Sequence, residues 1–294
     1  MSLLKIILLA IVQGLAELLP VSSSAHVIVA EKLMGLDPSS PQMTLLLVML
    51  HTGTMFAVIV YFWRTWQETY FSSAKAFRRF AGLVVWATLL TGIVGEILKK
   101  IVEKTLLHGA PKAQIEELFS HLELIAPALA AAGVLILIAG LRERQQMQRH
   151  TEPGDTATLT NSQAAWIGIV QGLALPFRGF SRSGSTISTG MLTGATKQEA
   201  ERFSFALAVV LTPAVVGLEA LRLLKAAHAA ANTGTVDLHV SLGYSCAGLV
   251  FSFIAGLGAL RWLSRWLESG RWYLFGIYCL VASAGIMFLH MRGF

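Results

Sequence analysis

The chain has 294 residues, of which 54% are hydrophobic and 14% charged, with a formal net charge of +6. So apolar a composition excludes an ordinary soluble domain and points to a bilayer. The Lys and Arg residues lie mainly between apolar segments, as in cytoplasmic loops and beside lipid head groups, so nucleic acid is not an expected partner.

Residues 2–35 form the first apolar stretch. Lys5 is the only basic residue before the apolar run, which continues into Glu17, Pro20 and His26 rather than a small-residue cleavage site. It reads as part of the fold and not as a removable signal. Its middle is broken by LLPVSSS, where Pro20 and three serines interrupt helix. Three stretches long enough to cross about 30 Å of hydrocarbon follow, at 43–63, 81–98 and 122–141. A second interrupted stretch, 162–194, is broken by LPFRGFSRSGS, and three further spans follow at 203–224, 240–260 and 272–289. Cys246 and Cys279 fall in separate apolar segments without CxxC spacing, which indicates neither a zinc site nor a disulfide framework.

The two interruptions are copies. IVQGLAELLPVSSSAH at 11–26 matches IVQGLALPFRGFSRSGS at 169–185, so Gln13 aligns with Gln171 and His26 with Ser185. Each half, 1–150 and 151–294, then holds one re-entrant helical hairpin and three spans. Three is odd, so the second copy starts on the opposite face. The expected fold is an all-α polytopic membrane protein, an inverted-topology repeat with six transmembrane helices and two re-entrant hairpins.

Arg64, Lys75, Arg78 and Arg79 follow the first span, Arg142, Arg144 and Arg149 the third, and Arg261, Arg265 and Arg271 the fifth. Positive-inside charge puts these loops in the cytoplasm, with the first hairpin and both termini outside. The broken tips then meet near mid-membrane. Lys99, Lys100, Lys104 and Lys112 in the loop at 99–121 run against this orientation, although Glu103, Glu116 and Glu117 accompany them.

An ionisable side chain inside a span costs about 2.5–3.5 kcal/mol on insertion scales, so Glu17, His26 and Arg182 need a reason. One reason is structural: Glu17 can pair with Arg182 and hold the hairpins together. The other is chemical. Ser22, Ser23 and Ser24 in one tip and Ser181, Ser183, Ser185 and Thr186 in the other surround a single cation with hydroxyls and helix N-termini, which is equipment for an anion. Taken singly, Ser22 and Ser181 read equally well as helix N-caps.

Ser23 and His26 share a helix face, as do Gln13 and Glu17. Phosphoryl transfer needs charge on the equatorial oxygens, an in-line nucleophile and a proton carrier. Arg182, then Ser23, His26 or water, then Glu17 and His26 can fill those roles. His51 and Arg178 are candidates of second rank. Glu17 is the only carboxylate in either tip, too few for an all-protein magnesium cage.

The segments Gln13 to Glu17, Pro20 to His26 and RGFSRSGST from Arg178 to Thr186, with ERFSFALAV at 201–209, closely resemble the bacitracin-resistance type of undecaprenyl-diphosphate phosphatase. The likeness spans the whole chain. It departs at Arg178, where the family's motif has proline, and in one extra residue between Gln171 and Ser181. The resemblance implies release of inorganic phosphate from undecaprenyl diphosphate, which recycles the carrier lipid for peptidoglycan synthesis and confers bacitracin resistance. It also implies that Glu17, Ser23, His26, Ser181, Arg182 and Thr186 form the site; Gln13, Ser22, Ser24 and Ser183 are the further candidates to hold the phosphates. The implied cation is Mg2+ or Ca2+ held with the substrate phosphates, with no organic cofactor. The expected location is the bacterial inner membrane, with the site opening to the periplasm, and a homodimer is compatible with the sequence. The competing expectation is a transporter or flippase for a phosphorylated polyprenyl lipid, since inverted repeats with broken helices also build transporters.

Overall fold

The structure is a computed structural model that describes residues 2–37, 41–106, 121–148, 159–230, 238–267 and 270–293. The described residues form helices only: α1 (Leu3–Leu18), α2 (Ser23–Leu33), α3 (Pro41–Thr69), α4 (Ala74–Leu106), α5 (Leu122–Gln148), α6 (Asn161–Ala174), α7 (Arg182–Leu192), α8 (Lys197–Ala230), α9 (Leu238–Leu267) and α10 (Trp272–Met291). Five of them, α3, α4, α5, α9 and α10, are long and apolar enough to cross a membrane. The chain is an all-helical, multi-pass membrane protein. The expected span at 203–224 lies inside α8, of which several side chains beyond Pro213 fall outside the described residues. The loop residues Lys112, Glu116 and Glu117 and the proposed division near residue 150 also fall outside them.

Several helices outrun the apolar stretches that predict them. α3 continues from Trp63 to Thr69, and α4 runs on through Lys99, Lys100 and Lys104 to Leu106. Hydrophobicity ends where the bilayer does, whereas backbone hydrogen bonding carries the helix into water. Along α4 the exposed side chains Val85, Leu89, Ile93, Ile97 and Ile101 recur every four residues, a stripe suited to lipid.

The two interrupted stretches each form a pair of short helices. The 16 residues of α1 and 11 of α2 reach about 24 and 17 Å at 1.5 Å per residue, less than the hydrocarbon thickness. α6 and α7, of 14 and 11 residues, are similarly short. Ser2 caps α1, and Thr160 with Gln163 forms a full capping box on α6.

The packing has a recurring pattern. α1 lies along α9 and α6 lies along α4, while α5 pairs with α10 and α3 packs on both α8 and α9. The repeated glycine of the IVQG segments permits the first two contacts. A Cβ on Gly14 would stand 2.5 Å from the Cβ of Ala255 on α9, and one on Gly172 would stand 2.8 Å from the Thr91 carbonyl oxygen on α4. Close backbone approach of this kind is how helices associate where no hydrophobic force separates protein from lipid.

Candidate active site

The breaks between α1 and α2 and between α6 and α7 lie against each other. The Ser22 N–H donates to Ser181 Oγ at 3.2 Å, and Ser183 Oγ donates to the Leu19 carbonyl at 3.4 Å. Ser22 and Ser181 are the N-caps of α2 and α7, with similar ψ values of 91° and 93°. Among the described residues Ser22 is the one non-glycine in the left-handed region, at φ 67°, whereas Ser181 has φ 8°. Such a conformation persists only where the surroundings impose it.

Glu17 is the hub. Its Oε1 accepts from Arg182 Nη2 at 2.8 Å, and its Oε2 accepts from Ser23 Oγ at 2.5 Å and from Gln13 Nε2 at 3.1 Å. His51 Nε2 stands 3.5 Å from the same Oε2, an ion pair when the ring is protonated. α1 supplies the acid and amide, α2 the hydroxyl, α7 the guanidinium and α3 the imidazole. Glu17 is only 7% exposed, and its negative charge is matched by Arg182.

Three buried polar atoms of this cluster have no protein partner: Arg182 Nη1, Ser22 Oγ and Gln13 Oε1. Unpartnered donors and acceptors in a membrane interior are expensive unless something polar joins them. A guanidinium N–H and a hydroxyl are donors suited to a phosphate, and the amide oxygen is an acceptor suited to a cation or a protonated group.

The remaining hydroxyls are engaged within the protein. Ser181 Oγ also caps Gly184 N at 3.3 Å, and Ser185 Oγ donates to the Ser181 carbonyl at 2.8 Å. Thr186 Oγ1 donates to the Arg182 carbonyl at 2.7 Å and lies 2.6 Å from Ser204 Oγ on α8. These groups hold the α7 N-terminus, and so Arg182, in place. Ser24 is half-buried on α2. Arg178 lies within electrostatic range of the buried Glu31 of α2, which answers its charge across the two hairpins.

His26 does not join the Glu17 cluster by hydrogen bond. Its Nδ1 donates to the Ser22 carbonyl at 2.8 Å, and its Nε2 lies 2.7 Å from the Tyr278 hydroxyl on α10. α10 also touches the first break through Cys279 Sγ, 3.5 Å from the Pro20 carbonyl. Tyr278 and Ser204 are absent from the sequence expectation. The only signal available for Tyr278 was a phenol in mid-span, which requires a polar partner in hydrocarbon.

The two IVQG segments are followed by unlike chemistry. Gln171, the counterpart of Gln13, is buried with both amide atoms unpartnered, and the position matching Glu17 is Leu175. Acid, hydroxyl and guanidinium gather once.

The fold is that of a multi-pass membrane protein, and its Glu17 centre combines an acid, a hydroxyl and a guanidinium among otherwise apolar helices. The sequence profile described as bacitracin resistance protein BacA matches residues 6–285, and the chain belongs to that family. It is 55% identical over 289 residues to undecaprenyl-diphosphatase 2 of Acinetobacter baylyi, covering 98% of each chain. It is 34% identical over 293 residues to undecaprenyl-diphosphatase 1 of Burkholderia pseudomallei, covering 96% of this chain and 95% of that one. Undecaprenyl-diphosphatase 2 of Burkholderia ambifaria is 33% identical over 300 residues, with 98% and 96% covered.

Proposed function

We propose that this protein hydrolyses undecaprenyl diphosphate to undecaprenyl phosphate and inorganic phosphate, returning the carrier lipid to cell-wall synthesis. Family membership supports the reaction class, and one observation carries the assignment of residues. The Glu17 carboxylate receives the Ser23 hydroxyl at 2.5 Å and the Arg182 guanidinium at 2.8 Å, while Arg182 Nη1 has no protein partner.

Arg182 Nη1 and the α2 and α7 N-termini hold the terminal phosphoryl oxygens. Ser23 Oγ attacks phosphorus in line, Glu17 takes its proton, and the bond to the bridging oxygen breaks so that undecaprenyl phosphate leaves. Water then attacks the phosphoserine, releasing inorganic phosphate. Glu17 returns the proton it took to Ser23 Oγ, which restores the site, and the water proton leaves with the inorganic phosphate. Nucleophile and base already in hydrogen-bond contact favour Ser23 over His26, both of whose nitrogens are engaged.

Among the described residues no group of three His, Cys, Asp or Glu lies together. A divalent ion such as Mg2+ or Ca2+ therefore fits only when shared with the diphosphate, with Glu17 and Gln13 Oε1 as protein oxygens. It would supply charge neutralisation to the phosphates.

We read α1–α2 and α6–α7 as re-entrant hairpins of an inverted repeat, with α8 as the sixth span and the site opening to the periplasmic side of the inner membrane. The matched pairings of α1 with α9 and α6 with α4 support this. Single cysteines at Ser73 and Gly293 test it, because a membrane-impermeant thiol reagent applied to whole cells should label only the second.

The direct test is phosphate release from undecaprenyl diphosphate by purified protein in detergent, with Ser23→Ala and Arg182→Ala alongside. Release that requires both residues supports the reading. A well-folded parent that releases nothing, with or without Mg2+ or Ca2+, would instead favour a polyprenyl-lipid transporter.

A further inference from the structure

His26 and Ser185 are repeat counterparts, and each bonds the carbonyl of its own cap residue at 2.8 Å, His26 that of Ser22 and Ser185 that of Ser181. In the second repeat the hydroxyl stays within its own helix turn, reaching the Ser181 carbonyl and, at 3.2 Å, that of Arg182. In the first, an imidazole replaces the hydroxyl and its second nitrogen reaches beyond the hairpin to α10. That nitrogen, Nε2, lies 2.7 Å from Tyr278 Oη, and the two rings stack with centroids 5.6 Å apart and an interplanar angle of 13°.

The proton positions follow from the partners. A carbonyl oxygen only accepts, so Nδ1 carries hydrogen. In a neutral ring Nε2 then bears the lone pair, and the Tyr278 hydroxyl donates to it. Tyr278 is 47% exposed on α10 and lies outside the buried Glu17 cluster, so the pair is open on one side.

We infer that Tyr278 is a positioning residue for the phosphatase reaction: it fixes the imidazole of His26 by stacking and presents Nε2 as the lone-pair nitrogen that takes a proton during turnover. This rests on the phosphatase reading. The step it serves is dephosphorylation. Water attacks the phosphoserine, and its proton goes to His26 Nε2 as Tyr278 Oη releases that nitrogen. Product departure returns the proton to solvent and the phenol to the ring. Glu17 meanwhile keeps the proton it took from Ser23 and gives it back to the leaving Ser23 Oγ, so the proton count closes. The assignment thus gives His26 the water proton, which Glu17 cannot accept while it holds the proton of Ser23.

Tyr278→Phe keeps the stacked ring and removes only the hydroxyl. It should lower kcat by about three- to tenfold, the value of one net hydrogen bond, and leave KM unchanged. Tyr278→Leu, which also removes the ring, should lower kcat further. A second readout is independent of turnover: 15N NMR of histidine-labelled protein in detergent, with His26→Asn identifying the resonances. The parent should show His26 protonated at Nδ1, and Tyr278→Phe should move the Nε2 signal toward that of an unbonded lone pair. The proposal falls if Tyr278→Phe keeps kcat within twofold, if KM alone rises, or if the parent ring is protonated at Nε2. A parent that releases no phosphate while the Nε2 signal still responds to Tyr278→Phe would sink the phosphatase reading and, with it, the catalytic role given to the pair.

Discussion

Arg182 and Glu17 face each other at 2.8 Å although 165 residues separate them, and this contact joins the break between α1 and α2 to that between α6 and α7. Their side chains are only 24% and 8% exposed, so each charge depends on the other for its solvation. The same pair serves structure and chemistry. Glu17 holds Arg182 through Nη2, and Nη1 remains for a phosphate.

Removing one partner should therefore do two kinds of harm. Arg182→Ala leaves a buried carboxylate unpaired, which costs about 3–5 kcal/mol of stability. Loss of a donor to the phosphoryl oxygens should also reduce phosphate release by about 10²–10³-fold. The double variant Glu17→Gln/Arg182→Gln removes both charges, so its thermal unfolding in detergent should return toward the parent while activity stays absent. A double variant as unstable as the single one would refute mutual compensation.

The helix breaks and the meeting of Glu17 with Arg182 were legible in the sequence, because Pro20 and the serine runs interrupt helix and isolated charges in apolar stretches require a partner. The disposition of the hydroxyls was not. Sequence places Ser181, Ser183 and Thr186 at the α7 N-terminus, but whether each hydroxyl turns outward to a ligand or inward to a carbonyl depends on neighbours such as Leu19 and Ser204, far away in the chain. His26 was visible as an intramembrane base. Its orientation was not, since that is set by a phenol 252 residues away.

Ser22 gives a prediction that separates stability from activity. A serine at φ 67° is strained by about 1 kcal/mol, and glycine is not. Ser22→Gly should raise the melting temperature in detergent and Ser22→Ala should not, since alanine keeps the Cβ. Both lose the buried unpartnered Oγ and should release phosphate more slowly than the parent. A Ser22→Gly variant with full activity would remove that hydroxyl from the site.

The glycine contacts predict matched effects in the two repeats. Gly14→Val and Gly172→Val drive side-chain atoms into α9 and α4 and should each destabilise by about 1–3 kcal/mol or more. Gly92→Ala, which meets nothing within 4 Å, should be neutral or slightly stabilising because alanine favours helix. Unfolding curves for the three variants decide this. Val tolerated at one repeat and not at the other would argue against equivalent packing.

The support beneath Arg182 gives the last prediction. Thr186 donates its proton to the Arg182 carbonyl, so the short contact with Ser204 must be Ser204 donating to Thr186. The chain Ser204 to Thr186 to Arg182 fixes the first turn of α7 from α8. Thr186→Val preserves shape and breaks both bonds, and Ser204→Ala breaks one. Each should lower kcat by about three- to tenfold with little change in KM, the signature of a misaligned transition-state contact. The two substitutions act on one chain of bonds, so the double variant should be little worse than Thr186→Val alone. Losses that multiply independently would mean that Ser204 and Thr186 act through different routes, and the proposed support of Arg182 from α8 would fail.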